Sequence, residues 1–156
     1  TVAIEIQAPN PVPREARWKT RLFLGGAIDM GKAEDWQRRL VKDLELHDVV
    51  LLNPRRNDFQ VDAVQSKDNP YFREQVEWEL RMQEQSDLCV YYIPAGTMSR
   101  ITLLEIGLFC KDQPHVICCP EGFDRKGNID VTSEYFDFNL VHSYEEMVKY
   151  IKEYIG

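Results

Sequence analysis

Only four cysteines occur in the chain, Cys89, Cys110, Cys118 and Cys119, and their spacings match neither a CxxC zinc pattern nor a disulfide framework. Each sits in or beside an apolar run, as core thiols of a reducing compartment do. The three histidines, His47, His115 and His142, are isolated from one another and from the cysteines, so no metal site is expected. Positive charge is also scarce. The 19 Lys and Arg face 26 Asp and Glu, a net charge of -7, which leaves no basic face for a phosphate backbone and no nucleic acid partner to expect. No apolar run approaches the ~20 residues that span a bilayer, and no basic segment followed by an apolar one opens the sequence. The expected setting is cytoplasmic, without membrane contact.

What is present is an alternation of short apolar runs with amphipathic stretches. Val2, Ile4 and Ile6 alternate with polar neighbours as an edge strand, and Pro9, Pro11 and Pro13 then form a stiff lead-in. Further strands are predicted at 22–24, 49–52, 88–93, 116–119 and 140–142. Helices are predicted at about 33–46, 70–85, 101–110 and 144–155. On the first of these Ala33, Trp36, Leu40 and Leu44 form the buried stripe, and on the second Phe72, Val76 and Leu80 do. The expected fold class is α/β: a flavodoxin- or Rossmann-like three-layer sandwich with a parallel sheet of about five strands plus the N-terminal edge strand. Residues 1–20 read as strand and lead-in, and 21–156 as one α/β domain. A chain of this length buries roughly 70% of its extended surface without needing disulfides or metals.

Ligands in such sheets bind beyond the C-terminal ends of the strands. Four stretches lie there: GGAIDMGK, NPRRNDF, PAGTMSR and residues 120–130. The first fits the phosphate-loop pattern GxxxxGK from Gly26 to Lys32, but Ala33 stands where a Ser or Thr would hold magnesium. No strand ends directly in a carboxylate, so the loop marks a small-molecule site more firmly than a nucleoside triphosphate site. Glu105, in TLLEIG, is either a capping-box partner of Thr102 or a carboxylate held ionised by the helix dipole where a ligand binds. Glu79 belongs either to a solvated face with Glu74, Glu77 and Glu84 or, bordering the buried stripe, to a cleft. Asp87 reads as a turn residue. Arg55 and Arg56 can grip an anion or lie exposed, and Ser99 can cap a helix, present its hydroxyl to a ligand, or both.

The strings FLGGAIDMGKAEDWQ, LLNPRRNDF, QVEWEL, SDLCVYYIP, TLLEIG and CPEGFDRKGNID, in that order, resemble the nucleoside 2-deoxyribosyltransferase family over about residues 21–131. The resemblance implies that Glu105 attacks the anomeric carbon of the sugar. It implies that Glu79, where most relatives have Asp, assists at the nucleobase. Ser99 replaces the Asp with which transferases often bind the sugar, and relatives that hydrolyse deoxynucleoside 5′-monophosphates use a serine there for the phosphate. Asn128, with Asp130 close by, matches the Asn that reaches across a dimer, which implies homo-oligomers with sites at the subunit interface. The loops carrying Gly25, Gly26 and Ile28, and Asn53, Arg55, Asp58 and Phe59, would enclose base and sugar. The implied activity is pentosyl transfer between nucleobases, with hydrolysis as a side reaction and nucleosides and nucleobases as the small-molecule partners. No cofactor is expected. Alternatives are a nucleoside 5′-monophosphate N-glycosidase and a non-catalytic nucleotide or ADP-ribose binding module.

Overall fold

The computed structural model describes residues 2–28, 33–56 and 64–156. Six strands, β1 (Ile4–Gln7), β2 (Thr20–Gly26), β3 (Val49–Asn53), β4 (Leu88–Tyr92), β5 (His115–Cys118) and β6 (Leu140–Val141), form one sheet in the order β1-β3-β2-β4-β5-β6. Every pairing is parallel. The helices are α1 (Trp36–Asp43), α2 (Pro70–Gln85), α3 (Arg100–Phe109), α4 (Lys126–Phe136) and α5 (Tyr144–Ile155), and a single 3-10 turn covers Arg14–Ala16. The six strands lie where the sequence patterning places them. The fold is the expected three-layer α/β sandwich.

Period-two alternation within the strands divides the core between the two sheet faces. Phe23, Leu52, Cys89, Tyr91 and Ile117 point to one side, where they meet Trp78 and Met82 of α2, Ile106 of α3 and Ile129 of α4. Leu22, Leu24, Leu51, Val90 and Val116 point to the other, against Trp36 and Leu40 of α1 and Met147 and Ile151 of α5. The stripe of α1 is therefore as read, although the helix begins at Trp36 behind an Asp35 cap rather than at Ala33. On α2 the expected stripe is corrected. Trp78, Met82 and Gln83 are buried, while Val76 is 37% exposed. Trp78 sets the phase, because its indole N–H donates to the Asn10 carbonyl (2.8 Å) and its ring packs 6.4 Å from that of Phe23.

Helix α4 is an element that patterning did not reveal, since residues 120–130 read as loop. Its core-facing residues are only Ile129 and Ser133, while Val131, Tyr135 and Phe136 are exposed. An apolar outer face erases the contrast on which helical periodicity depends. The sheet order reverses between β2 and β4, which connect outward to β3 and β5 respectively. That is the switch point where such sheets open a crevice. Gly25 of β2 pairs there with Tyr91 of β4.

Candidate active site

Gln75, Glu79 and Gln83 recur every four residues along α2 and so share one face. That face meets α3 at Glu105. The two glutamate carboxyls lie close enough for the charge of Glu79 to act on Glu105. Gln75 Nε2 donates to Glu79 Oε2 (2.8 Å) and to the Pro54 carbonyl just beyond β3 (2.9 Å). Gln83 Nε2 donates to Glu105 Oε2 (2.9 Å) and to the Glu79 carbonyl (3.0 Å), and Gln83 Oε1 accepts from the Tyr91 hydroxyl (2.7 Å). With both amide protons and the amide oxygen engaged, the orientation of Gln83 is determined by its partners. Tyr91, fully buried and pushed upward in pKa by that burial, remains a donor.

Glu105 is 5% exposed, and Glu79 is partly open to solvent. Burial raises both carboxyls, Glu79 to about 7 and Glu105 well above its ordinary value, and the Glu79 charge raises Glu105 further. The hydrogen bond from Gln75 favours the charge on Glu79. Both sequence readings of Glu105 are corrected. The N-cap of α3 is Ser99, so Thr102 and Glu105 form no capping box. Six residues into the helix, Glu105 lies beyond the first turn, where the dipole acts, and burial outweighs it.

Ser99 is buried and left-handed (φ 50°), and its side chain caps nothing. Thr97 donates its hydroxyl proton to the Pro94 carbonyl (2.8 Å), so Ser99 Oγ donates to Thr97 Oγ1 (2.7 Å). Arg55 lies almost buried and turns back on α1. Its guanidinium donates to the carbonyls of Ala33 and Glu34 (3.0 Å each) and lies 3.6 Å from Asp35. Arg56 stacks on Tyr71 and approaches Glu74. Asn53 accepts from the Arg55 N–H (3.0 Å) and donates to Glu5 (2.8 Å).

The glycines serve close packing. A Cβ on Gly25 would lie 2.8 Å from the Tyr91 ring, and one on Gly26 would lie 2.5 Å from both Trp36 and the Tyr92 carbonyl. Gly25 thus leaves room for the tyrosine that orients Gln83. The Ile28 carbonyl accepts from Ala33 N (3.1 Å). Asn128 is exposed on α4, one turn from the core-facing side, and Asp130 pairs with Lys126 (2.7 Å). Asp58 and Phe59 lie outside the described residues. Asp87 does what a turn residue does, accepting from Arg21 N (2.8 Å).

Gln75, Gln83 and Tyr91 are the site residues that motif reading missed. The four-residue polar spacing along α2 was their available signal. Cysteine chemistry does not compete here. All four thiols are buried and raised in pKa, Cys89 to about 12, so none is a thiolate near neutrality. His115 is held neutral by burial between the Gln113 carbonyl and Asn139 N. Among the described residues no three His, Cys, Asp or Glu side chains gather as a metal site, and no helix is long and apolar enough to cross a membrane.

Residues 19–123, which contain both glutamates, Gln83 and Tyr91, match the family model described as nucleoside 2-deoxyribosyltransferase like. The chain belongs to that family. The match ends before Asn128 and Asp130. No curated protein matches the sequence. Among solved structures, a conserved protein from Enterococcus faecalis V583 is similar, with a TM-score of 0.57 at 19% identity over 86% of this chain and 98% of that one. At that identity the likeness shows the shared fold.

Proposed function

We propose that this family member is a nucleoside 2-deoxyribosyltransferase that exchanges nucleobases on 2′-deoxyribonucleosides through a glycosyl ester on Glu105. The observation that carries this reading is the pairing of Glu79 with the buried Glu105, both carboxyls raised in pKa and held by Gln75 and Gln83. Near neutrality the pair holds one proton and one negative charge. Passing the proton between the two carboxyls gives Glu105 the charge of a nucleophile and Glu79 the proton a departing base needs. Glu105 then attacks the anomeric carbon as the glycosidic bond breaks to a base protonated by Glu79. A second base attacks from the face the first one left, Glu79 takes up its proton, and two inversions give net retention. Water in the second step yields free deoxyribose. Gln83, held by Tyr91, keeps Glu105 aimed while its charge develops.

Product analysis tests this. Deoxyinosine with adenine is expected to give deoxyadenosine, and deoxyinosine alone to give slower release of hypoxanthine and sugar. Release of base at an unchanged rate, with no new nucleoside at any adenine concentration, would sink transfer. Ser99 favours a second reading, hydrolysis of nucleoside 5′-monophosphates, since its strained backbone and uncapped hydroxyl suit a ligand contact. Against it, the Ser99 proton is already donated to Thr97, and Arg55 and Arg56 are committed to protein partners. Turnover of deoxyadenosine monophosphate far above that of deoxyadenosine, independent of acceptor base, would establish it. Ligand binding without base release over hours would mark a binding module.

The same reading includes a homo-oligomer. Ile101, Leu104 and Leu108 on α3 and Val131, Tyr135 and Phe136 on α4 are exposed, on helices that flank the same sheet face. An apolar surface of this kind is a common oligomer interface. Sedimentation is expected to give a dimer or larger species, and Leu104→Asp with Leu108→Asp to give monomers. A monomeric native protein at tens of micromolar would overturn this part.

A further inference from the structure

Three arginines converge on a pocket at the end of the sheet opposite the post-strand loops. Arg21 stands at the start of β2, Arg81 in the closing turns of α2, and Arg17 just after the 3-10 turn. With Gln85 they line a cavity of about 260 Å³, whose apolar wall includes Trp78 and Met82. No carboxylate lines it. Arg38, Arg39, Arg55, Arg56 and Arg73 each have a carboxylate partner. Among the described residues, the guanidiniums of Arg17, Arg21 and Arg81 have no carboxylate partner and make no side-chain hydrogen bond. Three like charges around one cavity repel each other, and an anion placed between them relieves that repulsion. Beside them in sequence, Trp18 is 92% exposed, an indole presented to solvent with nothing packed on it.

We infer that this pocket binds a small organic phosphate, its phosphate groups held by Arg17, Arg21 and Arg81 and its planar body resting on Trp18. Guanidinium forks match phosphate oxygens with paired charge-assisted hydrogen bonds, and the cavity is sized for the phosphates rather than for the whole ligand. The class is that of nucleoside di- or triphosphates. The site is separate from Glu79 and Glu105 and independent of the chemistry proposed for them.

Calorimetric titration of the intact protein with ADP, pyrophosphate and adenosine tests the assignment. ADP is expected to bind with one-to-one stoichiometry, pyrophosphate more weakly for lack of the planar body, and Trp18→Ala to remove the difference between them. Arg17→Gln, Arg21→Gln and Arg81→Gln are each expected to weaken ADP about 10-fold, the loss expected for one charge-assisted contact. Glu105→Gln is expected to leave ADP affinity unchanged. These arginines are outside the core, and circular dichroism of each variant checks that it folds. Absence of saturable ADP binding by the native protein overturns the inference. So does ADP affinity that survives all three arginine substitutions, or that falls with Glu105→Gln and places the ligand at the carboxyl pair.

Discussion

Glu105→Gln is expected to lower deoxyribosyl transfer by about 10⁴- to 10⁶-fold, as removal of a covalent nucleophile does. The fold is expected to survive it intact. A glutamine at this position reproduces the shape of the protonated carboxyl, since its oxygen can accept from Gln83 Nε2 as Glu105 does now. It also removes a carboxyl whose ionisation burial and the Glu79 charge both oppose, so stability at pH 8 should equal or exceed that of the native protein. Glu105→Ala separates the structural from the chemical contribution. It leaves Gln83 Nε2 short of an acceptor inside the protein and is expected to cost about 1–3 kcal/mol in urea titrations, with the same loss of activity. Native protein mixed with a deoxynucleoside and no acceptor should gain the mass of one deoxyribosyl group, and neither variant should. Transfer retained by Glu105→Gln within about 10-fold of native would remove Glu105 from the role of nucleophile.

The fold was more legible in the chain than the site was. Buried parallel strands announce themselves as short apolar runs, and all six stood at readable places because both sheet faces are covered. Helix α2 shows where this reasoning weakens. Phe72, Val76 and Leu80 make a plausible stripe, yet Trp78 outweighs them by the area it buries and by the carbonyl it reaches at Asn10. Rotating the helix to bury Trp78 also turns the Gln75–Glu79–Gln83 row towards α3. The mis-phased stripe and the missed glutamines therefore have one cause. Glu79 and Glu105 were each recognisable as candidates, but they stand 26 residues apart on different helices, and local spacing carries no sign that they touch. Their protonation was misread for a related reason. The helix dipole can be inferred from position along a helix, whereas desolvation depends on what packs around a residue, and here desolvation is the larger effect.

Glu79→Gln is expected to slow base release by about 10²- to 10⁴-fold, the usual worth of a positioned general acid, and to reshape the pH profile. In the native protein the rate should fall as pH rises past the point where Glu79, raised to about 7, can still be supplied with a proton, and fall again in acid as Glu105 stays protonated. The variant should lack the alkaline limb. Stability follows the same titration, and its sign is determined by the direction of the shift. Glu79 goes from an ordinary 4.5 to about 7 on folding, so the folded state binds the proton more tightly. The resulting stabilisation is fully present below pH 4.5 and is lost as pH rises through 7, a decline of about 2–3 kcal/mol for this group. Urea unfolding at pH 5 and pH 8 measures it, and Glu79→Gln should flatten the difference by about that amount. An alkaline limb that persists in the variant, or an unchanged stability difference between the two pH values, would show that the proton belongs to another group. If both effects disappear together, one carboxyl provides both the acid for the leaving base and the alkaline weakness of the fold. The pair would then be held ready for chemistry at the expense of stability, as a proton shared with the buried Glu105 carboxyl requires.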